Sequence, residues 1–390
     1  MTRVTGAASA TGTPGGTGAT GATDLQDQVQ RTIDRAVESG AEVGVQVAAY
    51  LHGEPVVDAW AGVADPASGR PVDGDTLFHS FSTGKGVTAT VLHLVAERGL
   101  VDYDAPIAAY WPEFAAQGKE RVTVRHALTH TAGIPQLPAS TSLADIADWD
   151  RMCAVIADTA PLWEPGTATG YHGWTFGWII GEIVRRASGR TVAEVLREEI
   201  GKPLGVEDSL FFGIPDEAAP RVATLVEGNW EALLESIPAS WPFFLAVPNR
   251  DIWPTATLGN RPDYLRAHVP AGGTMSARAV ARMYAALIGE VDGVRLLPPE
   301  RVAQVSALAT GEPDRMFVSP IAKGLGYFLA LPESGTRPTA FGHNGSGGSV
   351  AFADPESGLA FACTHNLLVG GSNDTTARAV AEQIRTALGI

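Results

Sequence analysis

Apolar residues recur at helical spacing from Asp24 onward. Leu25, Val29, Ile33 and Val37 form one stripe that ends near Gly40, the signature of an amphipathic helix. The period then changes. Residues 43–51 and 55–62 are apolar-rich runs separated by His52-Gly53-Glu54, which predicts an antiparallel hairpin. Residues 83–99 carry Val87, Val91, Leu92, Leu94 and Val95 on several sides, so the helix expected there is buried. Helical patterns dominate from Asp104 to about Glu300, broken by Pro- and Gly-rich loops, and are clearest over 175–188, 192–200 and 277–288. Strand-like runs return at 324–331, 349–354 and 359–365, and a last helix is expected over 373–388.

Strands at both ends thus flank a helical middle, with no internal repeat. One sheet built from both chain ends, flanked by helices and interrupted by a helical insertion, fits that order: an α/β (α+β) fold. The division reads as an α/β domain from 24–100 and 301–390, with a mainly helical domain at 101–300. Residues 1–23 are low-complexity Gly, Ala, Thr and Ser. They offer too little apolar surface to offset chain entropy, so a disordered tail is expected. They also lack the apolar core of a signal peptide, and no run of eighteen apolar residues exists. A cytoplasmic protein with no membrane partner is the expectation.

Composition narrows the function classes. The 390 residues are 45% hydrophobic, enough for a large core, and the formal charge is -15. No basic stripe is present, which argues against nucleic acid as partner. Cys153 and Cys363 lie far apart without metal-ligand spacing, so two free, buried thiols are expected rather than a disulfide.

Three segments carry candidate chemistry. The first is Ser82-Thr83-Gly84-Lys85. At the start of a helix, i and i+3 share a face, so Lys85 lies beside Ser82. A serine hydroxyl is a weak nucleophile until a base takes its proton, and burial in an apolar helix favours the neutral lysine that can do so. The chain has four lysines, Lys85, Lys119, Lys202 and Lys323; chance spacing gives roughly 0.2 such Ser-Lys pairs. The bland alternative is an N-cap serine beside an unrelated lysine. The second segment is Trp163-Glu164-Pro165-Gly166-Thr167 followed by Tyr171-His172-Gly173, a turn that delivers a tyrosine to the front of a helix. Such a phenol can relay a proton, or simply pack. The third is the run Gly342-His343-Asn344-Gly345-Ser346-Gly347-Gly348, where glycines permit close backbone approach and an N–H could help form an oxyanion hole. Otherwise it is a Gly-rich turn.

In this order the three segments resemble the serine β-lactamase-related superfamily: class C β-lactamases, DD-peptidases and most of all the family VIII carboxylesterases. Thr123–Gly133 and Ala271-Gly272-Gly273 before Ser276 look like further family segments. The resemblance covers about 24–390. It implies an α/β domain with an antiparallel sheet, an all-helical domain, and an active site between them. It also implies Ser82 as the acylated serine, Lys85 as its activator, Tyr171 as the tyrosine of Tyr-x-Asn, and His343, Asn344 and Gly345 at the substrate-binding Lys-Thr-Gly position. The backbone N–H groups of Ser82 and Ser346 would form the oxyanion hole. No metal or organic cofactor is implied.

Two departures steer the expected substrate. Gly173 stands where the motif's asparagine would bind a β-lactam's acylamide, and His343 replaces the cation that would hold a carboxylate. Loss of both leaves an uncharged ester as the expected small-molecule substrate. An amidase, β-lactamase or D-amino-acid peptidase, and a non-catalytic binding relative, are the alternatives. The aromatic run Trp241-Pro242-Phe243-Phe244 to Trp253-Pro254 reads equally as a pocket wall or as loop packing. His126 and His130 read as structural, and His172 is unassigned. Other hydrolase and nucleotide motifs fail: no Gly-x-Ser-x-Gly, phosphate loop or His-Glu-x-x-His occurs.

Overall fold

The computed structural model describes residues 18–371 and 375–390. The tail expected over 1–23 falls outside these up to residue 17. The first helix, α1 (Gly18–Glu38), starts ahead of Asp24, where the apolar stripe begins. The main sheet has seven strands: β1 (Gly44–Leu51), β2 (Glu54–Asp65), β3 (Arg70–Pro71), β4 (Phe328–Leu329), β5 (Phe341–Asn344), β6 (Val350–Asp354) and β7 (Leu359–His365). Their order is β4-β5-β6-β7-β1-β2-β3, and every neighbouring pair is antiparallel. Both ends of the chain meet at β1–β7, where Val47 sits opposite Cys363 and Ala48 opposite Ala362.

Strand alternation separates the two faces. Val45, Val47, Val350, Phe352, Phe361 and Cys363 point to a layer holding Leu25, Val29 and Ile33 of α1 and Val380 and Ile384 of the last helix. Alanines 48, 351, 353, 360 and 362 point the other way. Such small side chains let helix Ala277–Ile288 lie close against the sheet through Val280, Met283, Tyr284 and Leu287. That helix, placed in the helical middle by the pattern, therefore belongs to the sheet layer. Its N-cap Ser276 accepts from Ala279 N–H at 3.2 Å, and Gln46 of β1 accepts from Ala277 N–H at 3.0 Å. With both faces covered, β7 is buried along its whole length, which is why it reads as an unbroken apolar run.

Helix α2 (Gly84–Glu97) contacts β5 and packs on α3 (Thr175–Ser188). One expectation needs correction. The strand expected over 324–331 contracts to Phe328–Leu329, because Gly326 turns at φ +82° and packs against Ala89. The helix expected over 192–200 is present, as an α-helical start, Val192–Val195, continued without a break by a π-helical stretch, Leu196–Gly201. The last helix is Thr376–Leu388, and residues 373–374 of the expected span lie outside the described residues. Cys153 and Cys363 are both buried and unpaired. Among the described residues no helix is long and apolar enough to cross a membrane.

Candidate active site

Ser82 sits in a one-turn 3-10 helix, Phe81–Thr83, that leads straight into α2. Phe81 adopts φ +42°, a left-handed conformation that costs a non-glycine residue about 1–3 kcal/mol. The surroundings enforce it. Ser80 N–H donates to Gly273 O at 2.8 Å, and Gly273 N–H donates to Phe81 O at 3.1 Å. Gly84 lies so close to Gly272 and Gly273 that a Cβ would come within 2.5 Å of their backbone. This backbone-to-backbone contact brings the Ala271 carbonyl to Lys85.

Lys85 is 1% exposed. Its Nζ lies 2.9 Å from Ser82 Oγ and donates to Ala271 O at 2.7 Å. Burial pushes its pKa well below the ordinary 10.5. Tyr171 closes the other side of Ser82. Its phenol interacts with the Ser82 side chain, yet burial still raises its pKa, and Lys85 Nζ lies 5.1 Å from its ring centre. The two groups are driven in opposite directions, one toward a free amine and the other toward a protonated phenol.

The loop after β5 forms the opposite wall. Gly345 N–H donates to Ser349 O at 2.7 Å, and Thr83 Oγ1 donates to the same carbonyl at 3.1 Å. Thr83, not singled out from the sequence, thereby ties the nucleophile turn to this loop. Ser346 and Ser82 line one cavity. Among the described residues Ser346 makes no hydrogen bond, and Ser82 N–H has no acceptor among the turn and cap bonds. A Cβ on Gly345 would fall 2.0 Å from Ser80 O and 2.9 Å from Thr83 Oγ1. Gly345→Ala is therefore expected to lower stability by roughly 2–3 kcal/mol and to reduce activity. A thermal melt coinciding with that of the unaltered chain would contradict this contact.

Asn344, Gly345 and Ser346 reach the cavity, but His343 does not. On β5, which is buried over Phe341, Gly342 and His343, it stacks on Phe328 with ring centres 4.2 Å apart. Its Nδ1 is held 2.7 Å from Asn344 O, and burial chiefly lowers its pKa to about 3. His343, expected to contact substrate, thus lies behind Tyr171 rather than on the cavity wall, with ring centres 6.0 Å apart. His172 accepts from Ile134 N–H and lies 2.7 Å from Gly170 O, so Nδ1 carries the proton. His130 Nδ1 accepts from His172 N–H at 3.0 Å, and His126 accepts from Thr123 N–H in a capping box. All three are engaged in holding loops.

The cavity measures about 570 Å³. Trp241, Phe243 and Pro254 from the aromatic run line it, joined by Trp230, Leu234 and Phe317. Phe244 and Trp253 instead pack on each other, with ring centres 5.3 Å apart. Besides Tyr171, the titratable side chains on its wall are Lys85 and Glu333. Among the described residues no three His, Cys, Asp or Glu side chains converge as a metal site would require.

Comparison with known proteins agrees with this fold. The Beta-lactamase family model matches residues 29–385. The esterase/beta-lactamase LipL of Mycobacterium tuberculosis is 37% identical over 343 residues, 84% of this chain and 77% of that protein. A solved family VIII carboxylesterase superposes with TM-score 0.85 at 32% identity, covering 93% of this chain and 97% of that one. A penicillin-binding protein homologue from Caulobacter crescentus does so with TM-score 0.82 at 34% identity, covering 93% and 98%. The chain belongs to the beta-lactamase family.

Proposed function

We propose that this hydrolase of the beta-lactamase fold cleaves uncharged carboxylic esters through an acyl-enzyme on Ser82. The strongest support is Lys85: a buried amine 2.9 Å from the hydroxyl, with its charged form disfavoured. One N–H is spent on Ala271 O, which orients the nitrogen so that its lone pair can take the Ser82 proton. Ser82 Oγ then attacks the ester carbonyl. The N–H groups of Ser82 and Ser346 face the developing oxyanion, each donor lowering the barrier by about 2.7–4 kcal/mol. Tyr171, kept protonated by burial, gives its proton to the departing alcohol and is reprotonated from Lys85. Water activated by the same pair then attacks the acyl-enzyme and frees the acid and Ser82.

The wall chemistry supports an ester rather than an anionic lactam or peptide. Gly173 lines the cavity where an amide side chain would have been needed, and His343 is buried and neutral, so neither position offers a partner for a charged or acylamide-bearing substrate. The likeness to an enzyme named esterase/beta-lactamase keeps the lactam reaction as the competing reading, since acylation would use the same groups. Turnover of p-nitrophenyl esters against a chromogenic cephalosporin separates the two. Ester turnover that far exceeds cephalosporin turnover supports the proposal; comparable rates would favour the lactam reading.

The aromatic wall sets the size limit. Phe243→Ala removes a part-buried ring from the cavity lining. It is expected to raise kcat/KM for the bulkiest ester over the smallest by roughly tenfold, as read from a chain-length series. An unchanged series would assign Phe243 to packing alone.

A further inference from the structure

Behind Tyr171 lies an ion pair that the chemistry above does not use. Asp314 and Lys323 have side chains 0% and 1% exposed, with Oδ2 and Nζ 2.9 Å apart. The other carboxylate oxygen, Oδ1, accepts three backbone N–H groups: Tyr171 at 3.1 Å, Met316 at 2.8 Å and Phe317 at 3.1 Å. Lys323 Nζ also donates to Thr169 Oγ1 at 3.1 Å, and Arg315 N–H donates to Thr169 O at 2.9 Å. One carboxylate therefore joins two loops. The first, 169–171, carries the phenol that faces Ser82. The second, 314–318, carries Phe317, whose ring centre is 5.2 Å from that of Tyr171 and 5.8 Å from that of Phe243.

The chemistry of the pair suits this task. An ionised carboxylate accepts hydrogen bonds only, from several directions at once, and can gather N–H groups from separate segments. Buried alone it would be too costly, and Lys323 supplies the compensating charge. A pair serving only to hold a loop would not need to bond to the tyrosine that faces Ser82.

We infer that Asp314, paired with Lys323, is a positioning residue that sets both Tyr171 and Phe317 relative to Ser82, so that proton delivery and substrate size selection share one anchor. The inference rests on the ester-hydrolase reading above. Its consequence depends on the leaving group. An alkoxide needs a proton from Tyr171 as it departs, whereas p-nitrophenolate does not. A displaced phenol must therefore slow alkyl esters more than p-nitrophenyl esters of the same acid, whose acyl-enzyme is identical.

The test compares kcat/KM for ethyl butyrate and p-nitrophenyl butyrate in the unaltered chain, Asp314→Asn, Tyr171→Phe and the two combined, with melting curves for each. Asp314→Asn is expected to lower the ethyl-to-p-nitrophenyl ratio by roughly tenfold or more, within the ~10²-fold range of a misplaced reacting group. It should also flatten the chain-length preference. In the Tyr171→Phe background the same change should leave the ratio nearly unaltered, because the two act through one phenol. If Asp314→Asn does not fold, Asp314→Asn/Lys323→Met, which leaves no charge buried alone, is expected to show the same ratio change. Equal losses for both esters, or additive effects with Tyr171→Phe, would overturn the inference. An unaltered chain that hydrolyses neither ester would instead contradict the reading beneath it.

Discussion

Ser82→Ala is expected to lower ester turnover by at least roughly 10⁴-fold while leaving the fold intact. Loss of the nucleophile from a comparable serine hydrolase costs about 10⁶ in kcat, and what survives comes from oxyanion donors and binding. The donors proposed above are backbone groups, and the substitution leaves them in place. The 3-10 turn is held by Ser80 and Phe81 pairing with Gly273 and by Thr83 reaching Ser349, none of which uses the Ser82 hydroxyl. The melting temperature should therefore stay within a few degrees, and KM for p-nitrophenyl esters should change little. Turnover that persists in this variant would remove Ser82 from the chemistry.

Lys85→Met is the second large effect, expected to reduce kcat by roughly 10²–10⁴-fold, the usual worth of a positioned base. It also separates chemistry from stability. In the folded chain the Lys85 pKa is depressed by burial, while in the unfolded chain it returns to about 10.5. Between the depressed value and 10.5 the unfolded state binds a proton that the folded state lacks, so this lysine makes stability rise with pH across that window. Methionine removes that contribution, and the stability difference between the unaltered chain and the variant should change accordingly with pH. Catalytic rate should likewise rise with pH as Lys85 loses its proton. His343, at about 3, and His172, at about 4, are already neutral above pH 5 and add no limb there. Burial keeps Tyr171 protonated beyond its ordinary 10.0, so the rate should not fall below pH 10. A rate that declines with rising pH between 7 and 9 would contradict Lys85 as base.

What could be read from the sequence was what a short window contains. The stripe of Ala277–Ile288 and the apolar run Leu359–His365 mark their elements closely. Ser82 and Lys85 are three residues apart on one turn, so their 2.9 Å approach follows from helical geometry. Strand Phe341–Asn344 was hidden because Gly, His and Asn are poor strand formers. Its glycine is required by packing instead: a Cβ on Gly342 would lie 2.2 Å from Ala351 O. The burial of His343 comes from its place on a strand buried over Phe341, Gly342 and His343 alike, which a turn reading could not supply. Asp314 and Tyr171 are 143 positions apart, in loops without periodicity, and only the folded chain brings them together. The aromatic run divided between wall and packing for the same reason, since its side chains leave an irregular backbone in directions no period encodes.

The central claim is a covalent ester on Ser82. The direct measurement is intact-protein and peptide mass spectrometry of the chain quenched in acid during turnover of a slowly deacylated p-nitrophenyl ester, beside Ser82→Ala. A single acyl increment is expected on the peptide containing Ser82, formed at the rate of the p-nitrophenol burst and missing from the variant. Turnover without that increment, or an increment on another residue that Ser82→Ala leaves in place, would contradict the account.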